Sequence, residues 1–173
     1  MNKGTVLYLS FGDAGVANRL RVAGLKKSGF NVITADHIHQ AFPVIEGMMC
    51  HGQRIDLVVV EPLTAMIHQE SRDLYERLRQ TRFGSLPMLG DNPVIAQMDQ
   101  GWVVINLLNA IMPDTPIVIF TWYSKERSPG VIILRTFRQN SSVVRILDKS
   151  SVNVYMLVEE IEKVFAEIAV PTS

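Results

Sequence analysis

The chain has 173 residues, of which 47% are hydrophobic and 20% charged, and its 17 basic side chains balance 17 acidic ones. This composition excludes an intrinsically disordered chain, and zero net charge argues against a protein whose main task is to bind a polyanion. The single cysteine excludes a disulfide framework and a cysteine-cluster zinc site. No apolar run approaches the roughly 20 residues that cross a bilayer. We therefore expect one soluble, cytoplasmic domain spanning residues 1–173.

Five short β-rich segments alternate with helical patterns along the chain. Several of them are continuously apolar, which is typical of parallel strands covered on both faces. Strands alternating with helices predict right-handed βαβ units and hence an α/β fold, a three-layer, doubly wound, flavodoxin-like sandwich with a five-stranded parallel sheet. The predicted strands are Thr5 to Phe11, Asn31 to Thr34, Ile55 to Val60, Pro116 to Thr121 and Val143 to Leu147.

Three helices can be placed between and after these strands. Val16, Leu20 and Ala23 recur at helical spacing after the first strand, and Gly29 is a typical helix stop. A second helix is predicted after the second strand, although its Pro43 is tolerable only in a first turn. The last segment predicts an amphipathic helix packed on the sheet. Its apolar stripe consists of Val154, Leu157, Val158, Ile161, Phe165 and Ile168.

An insertion at residues 62–97 interrupts the alternation between the third strand and the third helix. It holds one helical pattern, with Ile67, Leu74 and Leu78, followed by a loop punctuated by glycine and proline. Connections of this length are usually lids or flexible excursions. Because the insertion leaves directly after Glu61, it begins over the carboxyl edge of the sheet. A lid, a partner-docking element, a dimerisation arm and an ordered decoration of the domain edge all remain open.

Polar side chains follow four of the predicted strands. Asp13 follows the first strand, Glu61 the third, Thr121 the fourth and Lys149 the fifth. The carboxyl ends of parallel strands meet at one edge, where such folds place their functional crevice. Carboxylates hold divalent cations, whereas hydroxyl and ammonium groups hold phosphate oxygens. The crevice therefore suits a phosphoryl group or a metal, and a salt-bridged cluster without a ligand is the equal alternative.

Four sequence patterns follow one another in the order of a known family. They are GFNVITADHIHQAF at 29–42, DLVVVE at 56–61, MDQG at 98–101 leading to MPDTPIVIFT at 112–121, and ILDK at 146–149. In these segments the chain resembles the receiver domain of two-component response regulators. The resemblance covers nearly the whole chain except residues 62–97, and it implies a CheY-like fold.

The resemblance also assigns roles to single residues. Asp13 keeps one member of the family's acidic pair after the first strand, and Thr121 and Lys149 match its hydroxyl and its lysine. The phosphoacceptor aspartate, however, is replaced by Glu61, and the aromatic switch position is Ile146. The chain is thus similar to an atypical receiver, a pseudo-receiver with a degenerate phosphorylation pocket.

The acidic pair has a second possible alignment. A spacing of sixteen residues between Asp13 and Gly29 favours the assignment given above. A shift of one or two residues would instead put Ser10 and Phe11 at the position of the pair.

The replacement of the phosphoacceptor changes the expected chemistry. Glutamate is one methylene longer than aspartate, and a misplacement of ~1 Å can cost a reaction ~100-fold in rate. We expect Glu61 to remain unphosphorylated and to bond with Lys149 and Thr121 near the position of the phosphoryl oxygens. No catalysis and no cofactor are expected, and any Mg²⁺ would be held weakly by Asp13 and Glu61.

Basic side chains cluster between residues 125 and 145. In receivers this region belongs to a face, formed by the fourth helix, the fifth strand and the fifth helix, that meets partners and second copies. We expect a protein partner or a homodimer to use this face or the insertion 62–97, with neither a membrane nor direct nucleic-acid contact. A solvated basic face is the alternative. The basic residues are Lys125, Arg127, Arg135, Arg138 and Arg145.

These observations favour a phosphorylation-independent signalling domain that acts through protein–protein contact. A flavodoxin-like binder of small ligands, or an enzyme, is the first alternative, and it would use Asp13, Glu61 and Lys149. The second alternative is a receiver domain of a larger transcriptional regulator.

Overall fold

The computed structural model describes residues 2–10, 15–61, 69–84, 86, 100–121 and 142–169. Within these residues, five strands and five helices are formed. The strands are β1 (Thr5–Leu9), β2 (Asn31–Ala35), β3 (Leu57–Val60), β4 (Ile117–Thr121) and β5 (Val143–Asp148). The helices are α1 (Val16–Lys27), α2 (Ile38–Cys50), α3 (Gln69–Thr81), α4 (Gln100–Ile111) and α5 (Val154–Ala169).

All five strands run parallel, in the order β2-β1-β3-β4-β5. This confirms the predicted doubly wound α/β sheet. Strand boundaries differ by a few residues, since β1 ends at Leu9 rather than Phe11 and β2 continues to Ala35. A bulge lies at the start of β5, where Ile117 pairs with Val143 but Val118 pairs with Arg145.

Alternating strand residues divide the core into two layers. One layer joins Leu7, Val58 and Ile119 to apolar residues of α2, α3 and α4. The other joins Tyr8 and Phe120 to residues of α1 and α5. Continuous burial along β1, β3 and β4 follows from this cover on both faces.

Helix α1 forms where its spacing predicted it, but the predicted apolar stripe of Val16, Leu20 and Ala23 does not face the sheet. Val16 is 65% exposed and Leu20 is 56% exposed, whereas Asn18, Arg21 and Leu25 are buried. Burial of an arginine is costly unless the charge is paired, and the ion pair of Arg21 with Glu61 at the sheet edge meets that requirement beside the buried Leu25.

Two local signals have different outcomes. Gly29 has a φ of 97°, and the amide of Phe30 donates to the carbonyl of Leu25, which closes α1 with the predicted glycine stop. Pro43 lies in the second turn of α2, not in its first turn, and the helix continues through it. Burial of Ile38 and Ile45 on either side of the proline explains how packing outweighs the missing N–H donor.

Part of the insertion contributes to the main core. Its described helix, α3, buries Leu74, Tyr75 and Leu78 in the same layer as α2 and α4. Ile67 lies outside the described residues. Helix α4 leads into β4 and lies in the same layer. None of the described helices is long and apolar enough to cross a membrane.

Candidate functional site: a buried carboxylate at the strand ends

One carboxylate lies completely buried at the carboxyl edge of the sheet. Glu61 follows β3 directly, and its side chain has no exposed surface. Its backbone amide donates to the carbonyl of Leu9 at 2.8 Å, which extends the pairing of β3 with β1 by one residue. The two-residue alternation of strands puts Glu61 on the same side as Val59, toward α1 and α5.

Three donors from three elements converge on this carboxylate. Lys149 follows β5 and donates from Nζ to Oε2 at 2.6 Å. Arg21 comes from α1, and its guanidinium donates to Oε1 at 3.2 Å. The Tyr8 hydroxyl, from β1, donates to the same oxygen. Both oxygens of Glu61 are therefore engaged by groups of the chain itself.

The aromatic ring of Phe120 lies close to both cations of the cluster. The guanidinium carbon of Arg21 lies 4.9 Å from the centre of this ring, and Nζ of Lys149 lies 5.5 Å from it. Cations at such distances are attracted by the negative face of the ring, and more strongly where water is excluded. The side chains of Arg21 and Lys149 are only 11% and 1% exposed. The cluster is thus a desolvated one with fixed geometry.

Among the groups that the structure describes, Glu61 supplies the cluster with one negative charge, and Arg21 and Lys149 each supply a positive charge. Burial, and after it the negative charge of Glu61, raises the pKa of Tyr8 far above its ordinary value, so the hydroxyl stays protonated and can donate.

This arrangement does not suit a divalent cation. Mg²⁺ needs free carboxylate oxygens at close range, and here both oxygens already accept hydrogen bonds from two cations and a hydroxyl. Among the described residues, no group of three or more acidic, histidine or cysteine side chains gathers that could hold a metal ion. Asp13, the other acidic residue predicted for this site, lies outside the described residues.

Three further residues that the sequence predicts at or near the pocket are Thr121, Ile146 and Ser10. Thr121 ends β4, is buried, and accepts the backbone amide of Lys149 at its carbonyl oxygen at 3.0 Å. Ile146 pairs with Ile119 in the sheet and packs against the opposite core layer, that of α2. Ser10 follows β1 directly and donates its hydroxyl to Asp36.

The structure describes one residue of the predicted basic face. Arg145 lies on β5 and reaches two acids of α5, Glu160 at 3.8 Å and Glu167 at 2.5 Å. Glu160 also accepts from Lys163. The acidic side of α5 is thus partly neutralised within the chain. Lys125, Arg127, Arg135 and Arg138 lie outside the described residues.

Sequence reasoning missed two of the three donors around Glu61. Tyr8 was visible only as part of an apolar strand, and Arg21 only as a helical residue between apolar positions. A tyrosine in a strand covered on both faces needs a partner for its hydroxyl, and that requirement was the available signal for Tyr8. Arg21 had no comparable signal, because Val16, Leu20 and Ala23 predicted a different buried face for its helix.

Comparison with solved structures identifies the fold. A CheY-like response regulator receiver domain from Methanospirillum hungatei JF-1 superposes with a TM-score of 0.56 at 16% sequence identity, covering 95% of this chain and 94% of that one. A response regulator from Desulfuromonas acetoxidans gives a TM-score of 0.55 at 14% identity over 96% of this chain and 99% of its own. The chain has the receiver fold. A response regulator receiver domain from Clostridium thermocellum agrees, with a TM-score of 0.53 at 12% identity, 95% of this chain and 96% of that chain being covered.

These superpositions cover almost the whole chain. No protein-family model matches the sequence, and no curated protein matches it. Sequence identities of this size show the fold alone. What the receiver fold does in this protein has to be inferred from its own residues.

Proposed function

We propose that this protein is a signalling domain of the receiver fold that works without phosphorylation and acts through contacts with other proteins. One observation carries the proposal: Glu61 stands at the end of the third strand, and the chain itself occupies both of its carboxylate oxygens. A carboxylate held in this way is neither a free nucleophile nor a free metal ligand.

The free energies expected for these hydrogen bonds favour keeping Glu61 bonded to its partners within the chain. Hydrogen bonds to charged groups contribute about 1.5–3 kcal/mol each, and leaving a buried charge unpaired costs about 3–5 kcal/mol. Phosphorylation of Glu61 would require both Lys149 and Arg21 to release the carboxylate inside a dry site. The intrachain bonds therefore replace the interaction that a phosphoryl group would make.

The same bonds argue against the alternative of a ligand binder or enzyme at this crevice. That alternative needs Glu61 and Lys149 to face a ligand, but these two side chains face each other at 2.6 Å and are nearly inaccessible. We therefore infer that the crevice has a structural and regulatory role, and that binding takes place on the surface.

Incubation with acetyl phosphate and Mg²⁺, followed by intact-mass measurement, tests the proposal. We expect no phosphoryl adduct on the wild-type chain, and we expect Glu61→Gln to give the same spectrum. Glu61→Asp is the informative variant, because it restores the side-chain length of a receiver while leaving Lys149 and Arg21 in place. An adduct on the wild-type chain that Glu61→Gln abolishes would overturn the proposal.

For protein contact we favour the surface formed by α5 and β5. Tyr155 is 81% exposed and Met156 is 42% exposed there, and aromatic and methionine side chains are enriched at interfaces. Arg145 adds a partly exposed cation beside this helix. We expect Tyr155→Ser to weaken binding to a partner or to a second copy.

Light scattering after size exclusion, over a range of protein concentrations, tests whether that partner is a second copy. A dimer that Tyr155→Ser dissociates, and that Val44→Ser does not, supports this face. Val44 is 44% exposed on α2 and serves as the matched control. A dimer insensitive to Tyr155→Ser would assign the interface to another surface.

A further inference from the structure

A concave site lies at the amino edge of the sheet, opposite Glu61. It is a cleft of about 320 Å³ between the last turns of α2 and α4 and the segments that lead into β3 and β4. Its size falls within the range of pockets that hold small molecules. The lining residues are Ile45, Met48, Met49, Gln53, Arg54, Ile55, Ile111, Met112, Pro113, Asp114 and Thr115.

The walls of the cleft are mostly apolar and adaptable. Three methionines, Met48, Met49 and Met112, line it together with isoleucines. Methionine has a flexible and polarisable side chain, which fits around different apolar shapes and favours contact with aromatic rings. Met49 is 52% exposed, although it is one of the larger apolar side chains of the chain. These walls suit the body of a small apolar or aromatic molecule.

The electrostatics of the cleft favour a positive charge on that molecule. Arg54 already has a carboxylate partner, Asp56, at 3.6 Å. In the part of the chain that the structure describes, Asp114 is in no ion pair, and it lines the cleft. Helices α2 and α4 both end at the cleft, and a helix carries about half a negative charge at its carboxyl end. Asp114 and the ends of both helices therefore lie around the same cleft.

We propose that this cleft binds a small hydrophobic amine, with its apolar body among the methionines and its ammonium group at Asp114. No residue of the Glu61 cluster takes part, so binding here stands or falls independently of the function proposed above.

Titration of the protein, with ¹³C-labelled methionine methyl groups, by tryptamine tests the proposal. We expect saturable shifts at Met48, Met49 and Met112, and none at Met156, which lies on α5 and is an internal control. Tryptophol and indole-3-propionate carry the same ring with a neutral and a negative group. They should bind at least tenfold more weakly than the amine, as expected for loss of one charge-assisted bond.

Two variants separate the charge from the shape. Asp114→Asn should weaken tryptamine about tenfold and leave tryptophol unchanged, whereas Glu159→Gln, which removes an exposed carboxylate on α5, should change neither. Met48→Trp should fill the cleft and abolish binding of both compounds. Non-saturable shifts, shifts spread over Met156, or equal binding of indole-3-propionate would overturn the proposal.

Discussion

The two edges of the sheet, at the carboxyl and amino ends of the strands, differ in the environment that they give to a carboxylate. At the carboxyl edge, Glu61 is fully buried and bonded to Lys149, Arg21 and Tyr8. At the amino edge, Asp114 is exposed and lines an open cleft. A carboxylate in the first environment contributes to the core, whereas one in the second is available to a ligand.

The difference shows that position on a receiver fold does not by itself define an active crevice. Strand ends at the carboxyl edge are expected to hold ligands in doubly wound sheets. Here the position of Glu61 is occupied by side chains that the strands and α1 supply themselves, and an open cleft with a carboxylate in its lining lies at the other edge. The residues, rather than the topology, decide whether a carboxylate at a strand end is accessible.

The largest expected effect comes from removing the charge of Glu61. Glu61→Gln leaves the buried cations Arg21 and Lys149 close together without their carboxylate, and it should lower the free energy of unfolding by about 3–5 kcal/mol. Urea denaturation at neutral pH measures this.

An exposed pair provides the control for this variant. Glu46 accepts from Arg82 at 2.5 Å, and both side chains are about half exposed. Glu46→Gln should cost less than about 1 kcal/mol. The double variant Glu61→Met, Lys149→Met should recover part of the loss, since it removes one of the two buried cations that lose Glu61 as a partner in Glu61→Gln. Equal costs for the buried and the exposed pair would mean that Glu61 is not held as described.

A smaller effect is expected from the hydroxyl of Tyr8. Tyr8→Phe deletes a donor to a buried carboxylate without changing the shape of the ring, and about 1–3 kcal/mol of stability should be lost. Tyr155→Phe, at a ring that is 81% exposed, should change stability by less than about 0.5 kcal/mol. If both variants unfold at the same urea concentration, Tyr8 contributes nothing to the cluster.

Alkaline pH should weaken the fold through the same residue. The pKa of Tyr8 is raised by burial and by Glu61, and burial raises the pKa of Tyr75 to about 12. Above pH 10, the unfolded chain loses protons that the folded chain keeps, so stability is fully present below pH 10 and falls as pH rises beyond it. Each such group contributes a slope of about 1.4 kcal/mol per pH unit.

Denaturation midpoints between pH 9 and 11.5 measure this slope. Tyr8→Phe should make the decline shallower than in the wild-type chain. A decline of equal steepness in both proteins would show that Tyr8 does not retain its proton in the folded state.

The apolar runs predicted the sheet well, because a strand that is buried on both faces is continuously apolar in the sequence. Such a run can be recognised without knowing which elements pack against it. Glu61 and Lys149 could be placed at one edge because parallel strand ends must meet. Arg21 could not be placed, since Val16 and Leu20 gave α1 an apolar pattern that the folded helix exposes. The orientation of that helix depends on a charge pair across the fold, and such a pair has no local signal.

The smallest expected effect concerns the amino edge without any ligand. Asp114 is exposed, and the side chain of Arg54 is 66% exposed and lies 3.6 Å from Asp56. Neither charge compensates a buried charge of opposite sign. Asp114→Asn and Arg54→Gln should each change the free energy of unfolding by less than about 0.5 kcal/mol. Urea denaturation of the two variants beside Glu61→Gln measures both edges under one condition. A loss of several kcal/mol at Asp114 would mean that its carboxylate already stabilises the fold, and the contrast between the buried Glu61 and the exposed Asp114 would then fail.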